Sequence, residues 1–136
     1  MSATTPTANE QALLDAFAPL RDPHERLSLI TEACSGPGIP EAERQDVDLV
    51  PGCVSRVWLR RSAGGAALHL EWEAESPLVR GLAGLICHVY QDSPLEEARL
   101  FRSRILTDLG MERQLSPTRL RGLGAMEARI HELART

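Results

Sequence analysis

The chain has 136 residues, 43% of them hydrophobic, and a formal net charge of −4. This length and apolar content suffice for one domain whose core needs neither disulfides nor a structural metal. The basic residues are all arginine and lie scattered among the acids, so we expect no nucleic-acid partner, and the absence of lysine excludes Schiff-base chemistry and a P-loop phosphate site.

The N-terminal segment and the cysteines suggest where the protein works. No apolar run approaches the roughly 20 residues that a membrane-spanning helix needs, and residues 1–9 lack the basic and apolar regions of a signal peptide. The three cysteines, Cys34, Cys53 and Cys87, are widely spaced and odd in number, which favours reduced thiols. We therefore expect a cytoplasmic protein with a disordered tail over residues 1–9 and a single domain over residues 10–136.

The first third of the chain predicts two helices and a loop. Apolar residues recur at helical spacing from Glu10 to Leu20. A second helix is predicted to begin at Asp22-Pro23-His24-Glu25, where an aspartate can cap and a proline takes the first helical position. It should end at Gly36-Pro37-Gly38. Residues 39–48 have no clear period and indicate a loop, and residues 47–50 indicate a short edge strand.

Two alternating segments, residues 56–61 and 67–74, flank Gly64-Gly65 and predict a β-hairpin. A turn centred on these glycines places apolar residues opposite each other on one face and charged residues on the other. The predicted cross-strand pairs are Leu59 with Leu70, Val57 with Trp72, Arg60 with His69, and Arg56 with Glu73. We expect His69 to be a solvated partner of Arg60 or of a neighbouring acid, and we expect Glu71, Glu73 and Glu75 to form a solvated strand face.

Three Ser-Pro pairs, Ser76-Pro77, Ser93-Pro94 and Ser116-Pro117, predict the starts of helices in the second half. The first helix should run to about Gln91, with Gly81 and Gly84 allowing a neighbour to approach closely. Residues 95–109 indicate one or two short helices, and the last helix shows apolar residues at three- and four-residue steps. The order of elements predicts an α+β domain with helices on the apolar face of a small antiparallel sheet.

Cys53 is the main candidate for chemistry, because it follows Pro51-Gly52 at the point where helices give way to the hairpin. A loop there would display the thiol, and loops often carry functional groups. The thiolate needs positive charge nearby, which Arg56 or Arg119 could supply. From these residues alone a reactive thiol and a small buried cysteine both remain open. If the extended conformation of the hairpin reaches back to Cys53, strand alternation predicts that the thiol points toward the core at rest.

The other cysteines and the histidines do not form a recognisable site. Cys34 and Cys87 lie within predicted helices, so we interpret them as structural. No two cysteines are closely paired, as metal sites usually require, so a metal site would have to be assembled from distant cysteines. A Cys–His catalytic pair would likewise depend on proximity created by the fold.

Four blocks, in this order, resemble the SufE family of sulfur-acceptor proteins. They are Asp22-Pro23-His24-Glu25-Arg26-Leu27, the run from Leu49 to Leu59 with Pro51-Gly52-Cys53 at its centre, Val79-Arg80-Gly81-Leu82, and Leu115-Ser116-Pro117-Thr118-Arg119 with Gly122-Leu123. The resemblance implies a role in iron–sulfur cluster assembly. A pyridoxal-phosphate cysteine desulfurase of the SufS type would leave a persulfide on its own cysteine, and this chain would accept the sulfur and pass it to a SufBCD-type scaffold.

The resemblance also assigns residues. It implies that Cys53 is the persulfide acceptor and that Arg119 contacts the partner or stabilises the thiolate, with no cofactor or metal in this chain and no enzymatic turnover of its own. It implies the SufE/NifU (IscU-like) fold, with a small three-stranded antiparallel sheet packed against helices. The chain departs from the family at Val54 and Arg56, where glutamine is common, and Arg56 could supply charge to the thiolate instead.

Two rival functions follow from the same residues. The first is an iron–sulfur or metal-binding scaffold of the IscU/NifU type, motivated by three cysteines on a fold of that kind. The second is a stand-alone thiol hydrolase or peroxidase using Cys53, which would need a fixed base or a resolving cysteine.

Overall fold

A computed structural model describes residues 4–62 and 64–135 and shows a mixed α+β architecture. The helices are α1 (Pro6–Phe17), α2 (Pro23–Cys34), α3 (Pro77–Tyr90), α4 (Leu95–Leu100), α5 (Ile105–Asp108) and α6 (Pro117–Leu133). The strands are β1 (Val57–Arg61), β2 (Ala67–Leu68), β3 (Leu70–Ala74) and β4 (Ser93–Pro94). Short 3₁₀ turns occupy Glu41–Glu43, Asp46–Asp48 and Met111–Arg113.

Most of the predicted helix starts are confirmed, because their caps are local. The hydroxyl of Ser76 accepts from the N–H of Val79, and that of Ser116 accepts from the N–H of Arg119. Ser93-Pro94 is the exception and the prediction of a cap there is wrong. These two residues form β4, whose pairing with β2 takes the place of a capping bond.

The first helix begins earlier than the sequence predicts. Thr5 caps it by accepting from the N–H of Ala8, and Pro6 takes the first helical position. The side-chain amide of Asn9 donates to the carbonyls of Val89 and Gln91, at 3.0 and 2.9 Å. The expected disorder is therefore wrong for residues 6–9, because a tertiary contact holds them in α1, and residues 1–3 lie outside the described residues.

The strands form two separate two-stranded antiparallel sheets, β1 with β3 and β2 with β4, and the three-stranded sheet is a wrong prediction. The expected strand over residues 47–50 is reduced to one bridge between Leu49 and Trp58. A 3₁₀ turn precedes that bridge, and Pro51 follows it without an N–H to extend the ladder.

The hairpin register differs from the predicted one by two residues. Leu59 lies opposite Trp72, and Arg60 lies opposite Glu71. The shift arises because β2 leaves the hairpin to pair with β4, so the connection between β1 and β3 is longer than the glycine turn suggests. An even shift keeps each side chain on its predicted face, so the residues assigned to the core face are correct although the partners change. His69 pairs with an acid, Asp92, at 2.7 Å.

Helix α3 is the centre of the core and packs against α1, α2, α6 and β3. Gly81 and Gly84 permit the predicted close approach of α2, since a Cβ on Gly84 would lie 1.6 Å from the carbonyl oxygen of Cys34. Cys34 and Cys87 are both buried in this core. Among the described residues, no helix combines the length and apolar character that crossing a membrane requires.

Glu73 departs most clearly from the prediction of a solvated strand face, because it is buried. Arg44 and Arg80 lie 3.4 and 3.5 Å from its carboxylate, which also accepts from the N–H of Ile39 at 3.1 Å. The segment from Ser35 to Arg44 folds over this position, and Arg80 donates to carbonyls at its start. Glu73 thus anchors a covering loop that the strand pattern alone does not reveal.

Candidate functional site

Cys53 lies on a short flap, defined here as Pro51–Ser55, whose two ends are fixed beside each other. On one side the N–H of Val50 donates to the carbonyl of Val57 at 2.9 Å. On the other side Arg56 is bound to the sheet. Gly52 has φ +86°, a left-handed conformation that glycine adopts without strain, so this residue makes the turn that presents Cys53.

The thiol of Cys53 points inward, although β1 begins only at Val57, so the extended conformation on which the alternation argument depends does not reach it. Its Sγ donates to the carbonyl of Gly122 in α6 at 3.6 Å, and the residue is partly buried. Burial raises the pKa of the Cys53 thiol above its ordinary value, because the thiolate loses hydration in this position. At neutral pH the resting group is therefore the protonated thiol.

The thiol opens into a cleft of about 160 Å³ between the flap and α6. Apolar side chains and polar groups share the wall. The lining residues are Cys53, Val54, Ser55, Val79, Leu82, Ser116, Thr118, Arg119, Gly122, Leu123 and Met126. Within this lining, drawn from the residues that the structure describes, there is no histidine and no carboxylate, so the thiol has no built-in general base.

Arg119 contributes positive charge to the same cleft. Its Nη1 atom is buried and has no hydrogen-bond partner among the described residues. A buried donor without an acceptor is costly, and the guanidinium that carries it belongs to a residue lining the cleft, so positive charge lies beside the space where an anionic group would rest. Helix α6 begins beside it at Pro117, which adds the partial positive charge of a helix N-terminus. The fold thus brings Cys53 and Arg119 together, as the sequence suggested.

Arg56 is not brought to the cleft, although it is three residues from Cys53. Its guanidinium binds the carboxylate of Glu75 at 3.1 Å and lies over the ring of Trp58, 5.3 Å from the centroid. It is absent from the cleft lining. The geometry therefore gives no support to thiolate stabilisation by Arg56 in the closed flap, because its guanidinium is engaged by Glu75 and Trp58 outside the cleft.

Sequence reasoning did not single out Gly122 as part of the site. Its carbonyl accepts from the thiol, and a Cβ at this position would lie 3.5 Å from Sγ. Glycine in a helix interior is unfavourable by roughly 1 kcal/mol relative to alanine. The sequence signals that could have pointed to a close approach here are the inclusion of Gly122-Leu123 in the family block and the presence of a glycine inside a helix.

The rival metal scaffold finds no preassembled ligand set in the part of the chain described. No three His, Cys, Asp or Glu side chains there are grouped closely enough to hold a metal ion. Burial raises the pKa of Cys34 to about 11 and that of Cys87 still further. Both thiols would resist the deprotonation that metal binding requires.

Comparison with known proteins places these features in context. The family model described as "SufE: Fe-S metabolism associated domain" matches residues 11–134. A SufE-like protein of Rhizobium meliloti is 32% identical over 124 residues, which cover 87% of this chain and 89% of the relative. The sulfur acceptor protein CsdE of Escherichia coli is 30% identical over 129 residues, covering 91% and 86% respectively.

A solved structure agrees on the fold. The solution structure of a hypothetical protein from Thermus thermophilus superposes with a TM-score of 0.76 at 21% identity, covering 97% of this chain and 96% of the other. That likeness supports the α+β architecture alone. The family match, the two relatives and the position of the four sequence blocks agree, and the chain belongs to the SufE family.

Proposed function

We propose that this protein is a sulfur acceptor of iron–sulfur metabolism that takes a sulfur atom from a cysteine desulfurase onto Cys53. The observation that carries the proposal is the placement of Cys53 on a five-residue flap, sheltered over a cleft that holds an unpaired arginine nitrogen. The name of the Escherichia coli relative, a sulfur acceptor, supports the same role for this chain.

The transfer is a thiol exchange at sulfur. The Cys53 thiolate attacks the outer sulfur of a persulfide on the partner's cysteine, forming a new S–S bond while the partner's own S–S bond breaks. The electron pair of the broken bond stays on the partner's cysteine, which leaves as a thiolate, and Cys53 becomes a persulfide. No external oxidant or reductant is needed. The partner's pyridoxal phosphate performs the preceding carbon–sulfur cleavage, so this chain acts as a carrier rather than an enzyme.

Residues around the cleft have distinct roles in this proposal. A persulfide is ionised more readily than the buried thiol and carries negative charge on its outer sulfur. Arg119 and the N-terminus of α6 supply positive charge where that sulfur would rest. The apolar side chains Val79, Leu82 and Met126 exclude water and oxidants from it.

The flap also limits how the two proteins can meet. Cys53 is three residues from Val50 and three from Arg56, and an extended chain spans at most about 3.5 Å per residue. The thiol can therefore move no more than about 10 Å from the base of the flap. The desulfurase must bring its persulfide about as close as that, so we infer a tight complex between the two proteins. The membership of the chain in the SufE family supports a desulfurase of the SufS type as the partner. A SufBCD-type scaffold would then take the sulfur in a second exchange.

Mass spectrometry after incubation with a SufS-type desulfurase and cysteine tests the proposal directly. We expect the Cys53 peptide to gain one sulfur atom that a reductant removes, while the Cys34 and Cys87 peptides stay unchanged because both thiols are buried. Cys53→Ser should abolish the gain and the stimulation of sulfide release. Full stimulation by Cys53→Ser, or sulfur spread equally over the three cysteines, would refute the acceptor role.

A matched pair of arginine variants tests the charge in the cleft. Arg119→Met removes the guanidinium that lines the cleft, whereas Arg121→Met removes an exposed arginine two residues along the same helix that bonds only to Thr118 among the described contacts. We expect slower sulfur transfer for Arg119→Met alone. Equal rates in the two variants would show that the cleft cation has no part in transfer.

A further inference from the structure

The sheet face beside the flap carries a row of cross-strand pairs between β1 and β3. Arg60 is opposite Glu71 and bonds to it at 2.8 Å, and Trp58 is opposite the buried Glu73. The same register continues one step beyond the strands to Arg56 and Glu75. This last pair lies where the flap ends, so it belongs both to the sheet and to the loop that carries Cys53.

Three hydrogen bonds join Arg56 to Glu75. The backbone N–H of Glu75 donates to the carbonyl of Arg56 at 3.1 Å. The backbone N–H and the Nε of Arg56 donate to the two carboxylate oxygens of Glu75, at 3.0 and 3.1 Å. These bonds hold the pKa of Glu75 below its ordinary value, so the carboxylate is charged at neutral pH. One side chain thus fixes both the backbone and the guanidinium at the end of the flap.

Other contacts that keep the flap closed are few. The Cys53 thiol makes a long hydrogen bond of 3.6 Å to Gly122, and sulfur is a weak donor. Val54, next to Cys53, leaves 86% of its surface exposed. The guanidinium of Arg56 also packs over the ring of Trp58, and this contact contributes to the burial of Trp58. Among the described residues, the pairing of Arg56 with Glu75 is therefore the salt bridge that holds an end of the flap, beside the backbone bond of Val50 at its other end.

We propose that the Arg56–Glu75 pair is a latch that holds the Cys53 flap closed, and that both are positioning residues for sulfur transfer. The role of the latch in sulfur transfer rests on the proposed acceptor role of Cys53. The test of the latch does not, because it measures alkylation without a desulfurase. The N-terminal side of the flap is anchored separately, by the bond from the N–H of Val50 to the carbonyl of Val57. Because this anchor remains when the latch breaks, the latch sets how often the flap opens rather than how far Cys53 can reach.

The position of the latch makes it accessible to a docked protein. The side chains of Arg56 and Glu75 are 61% and 48% exposed, so a charged group on a partner can compete for either of them. Because exposed ion pairs are weak and screened by salt, the closed flap is only modestly favoured. Docking can then release Cys53 without the partner having to unfold any part of the core.

Alkylation of Cys53 by neutral iodoacetamide, measured by peptide mass spectrometry without any desulfurase, tests the latch. Arg56→Met removes one bond to the carboxylate, and Glu75→Ala removes both. We expect rates about twofold and about fivefold above wild type, in that order, from the range of exposed ion-pair energies. Raising NaCl to about 1 M should speed the wild-type reaction and leave Glu75→Ala unchanged, since the pair is screened.

The chain offers a matched control on the same face. Arg60→Met and Glu71→Ala break an ion pair two rungs away that does not touch the flap, and Cys53 alkylation should stay at the wild-type rate. Cys34 and Cys87 report on global destabilisation. If their alkylation rises in parallel with that of Cys53 in Glu75→Ala, the effect is general unfolding and the latch is overturned.

The pH profile separates opening from activation. A latch variant should raise the alkylation rate at every pH, with the midpoint of the profile unchanged or moved to lower pH, because an open flap returns water to the thiol. A midpoint moved to higher pH in Arg56→Met would mean that the Arg56 charge acts on the thiolate itself, which overturns the latch. Unchanged rates in both latch variants would do the same while leaving the acceptor role intact, and a failure of sulfur transfer to Cys53 would leave the alkylation result standing.

Discussion

Replacing Glu73 by glutamine should destabilise the fold far more than the same change at Glu71. The Glu73 carboxylate is buried and lies 3.4 Å from Arg44 and 3.5 Å from Arg80. Glutamine keeps the shape and can still accept from Ile39, but it leaves two guanidinium groups without their counter-charge. Breaking a buried, hydrogen-bonded charge pair costs on the order of 2–4 kcal/mol.

That cost converts into a measurable melting temperature. Unfolding entropy is about 2.1 cal/mol/K per residue, or roughly 0.3 kcal/mol per degree for a chain of this length, so Glu73→Gln should lower Tm by about 7–13 °C. Glu71→Gln breaks a partly buried pair with Arg60, far less enclosed than that of Glu73, and should lower Tm by no more than about 3 °C. Thermal unfolding followed by circular dichroism at pH 7 measures both. If the two variants melt within about 2 °C of each other, Glu73 is not the anchor of the loop that covers it.

Further predictions concern backbone packing and the buried thiols. Gly84→Ala forces a methyl group against the carbonyl oxygen of Cys34 and should cost more than about 3 kcal/mol in urea unfolding. Gly124→Ala, in a helix position with nothing within 4 Å of the new Cβ, should instead stabilise the fold by about 0.5–1 kcal/mol, and a loss of stability there would refute the packing. Burial raises the pKa of Cys34 to about 11 and that of Cys87 further, so the folded chain keeps protons that the unfolded chain releases above about pH 8.5. Stability should fall as pH rises above that value, and Cys87→Ala should make the fall shallower by up to about 1.4 kcal/mol per pH unit; an unchanged slope between about pH 8.5 and 10.5 would contradict this.

What the sequence predicts well is local. A Ser-Pro cap needs only the next three residues, so the starts of α3 and α6 are correct. Alternation along a strand assigns faces correctly even when partners are wrong, because parity survives an even shift. The early start of α1 escapes prediction because the bonds from Asn9 reach residues about 80 positions away.

What the sequence cannot give depends on contacts between distant segments. The two-residue register error follows from the pairing of β2 with β4, which no feature of the hairpin announces. The position of Arg56 is a separate case. Its closeness to Cys53 in sequence made it a candidate to serve the thiol, whereas in the fold its guanidinium binds Glu75 and lies over Trp58, outside the cleft lining. The burial of Glu73 escapes prediction for the same kind of reason, since the covering loop comes from residues 35–44.

The hydration of the Cys53 sulfur determines both how well the thiol is protected and how reactive it is. While the flap is closed, burial favours the protonated thiol, so Cys53 is a poor nucleophile and a poor target for oxidants. In the proposed transfer, opening of the flap would restore water to the Cys53 sulfur and lower the free-energy cost of forming the thiolate. The movement that brings Cys53 to the desulfurase would therefore also activate the thiol. In the proposed transfer, a returning persulfide would lie beside the positive charge of Arg119 and the start of α6, which favour an anion where the neutral thiol gains little. If Cys53 is the proposed acceptor, the cleft would discriminate between the empty and the loaded carrier by charge, because burial favours the neutral thiol whereas Arg119 and the start of α6 favour an anion.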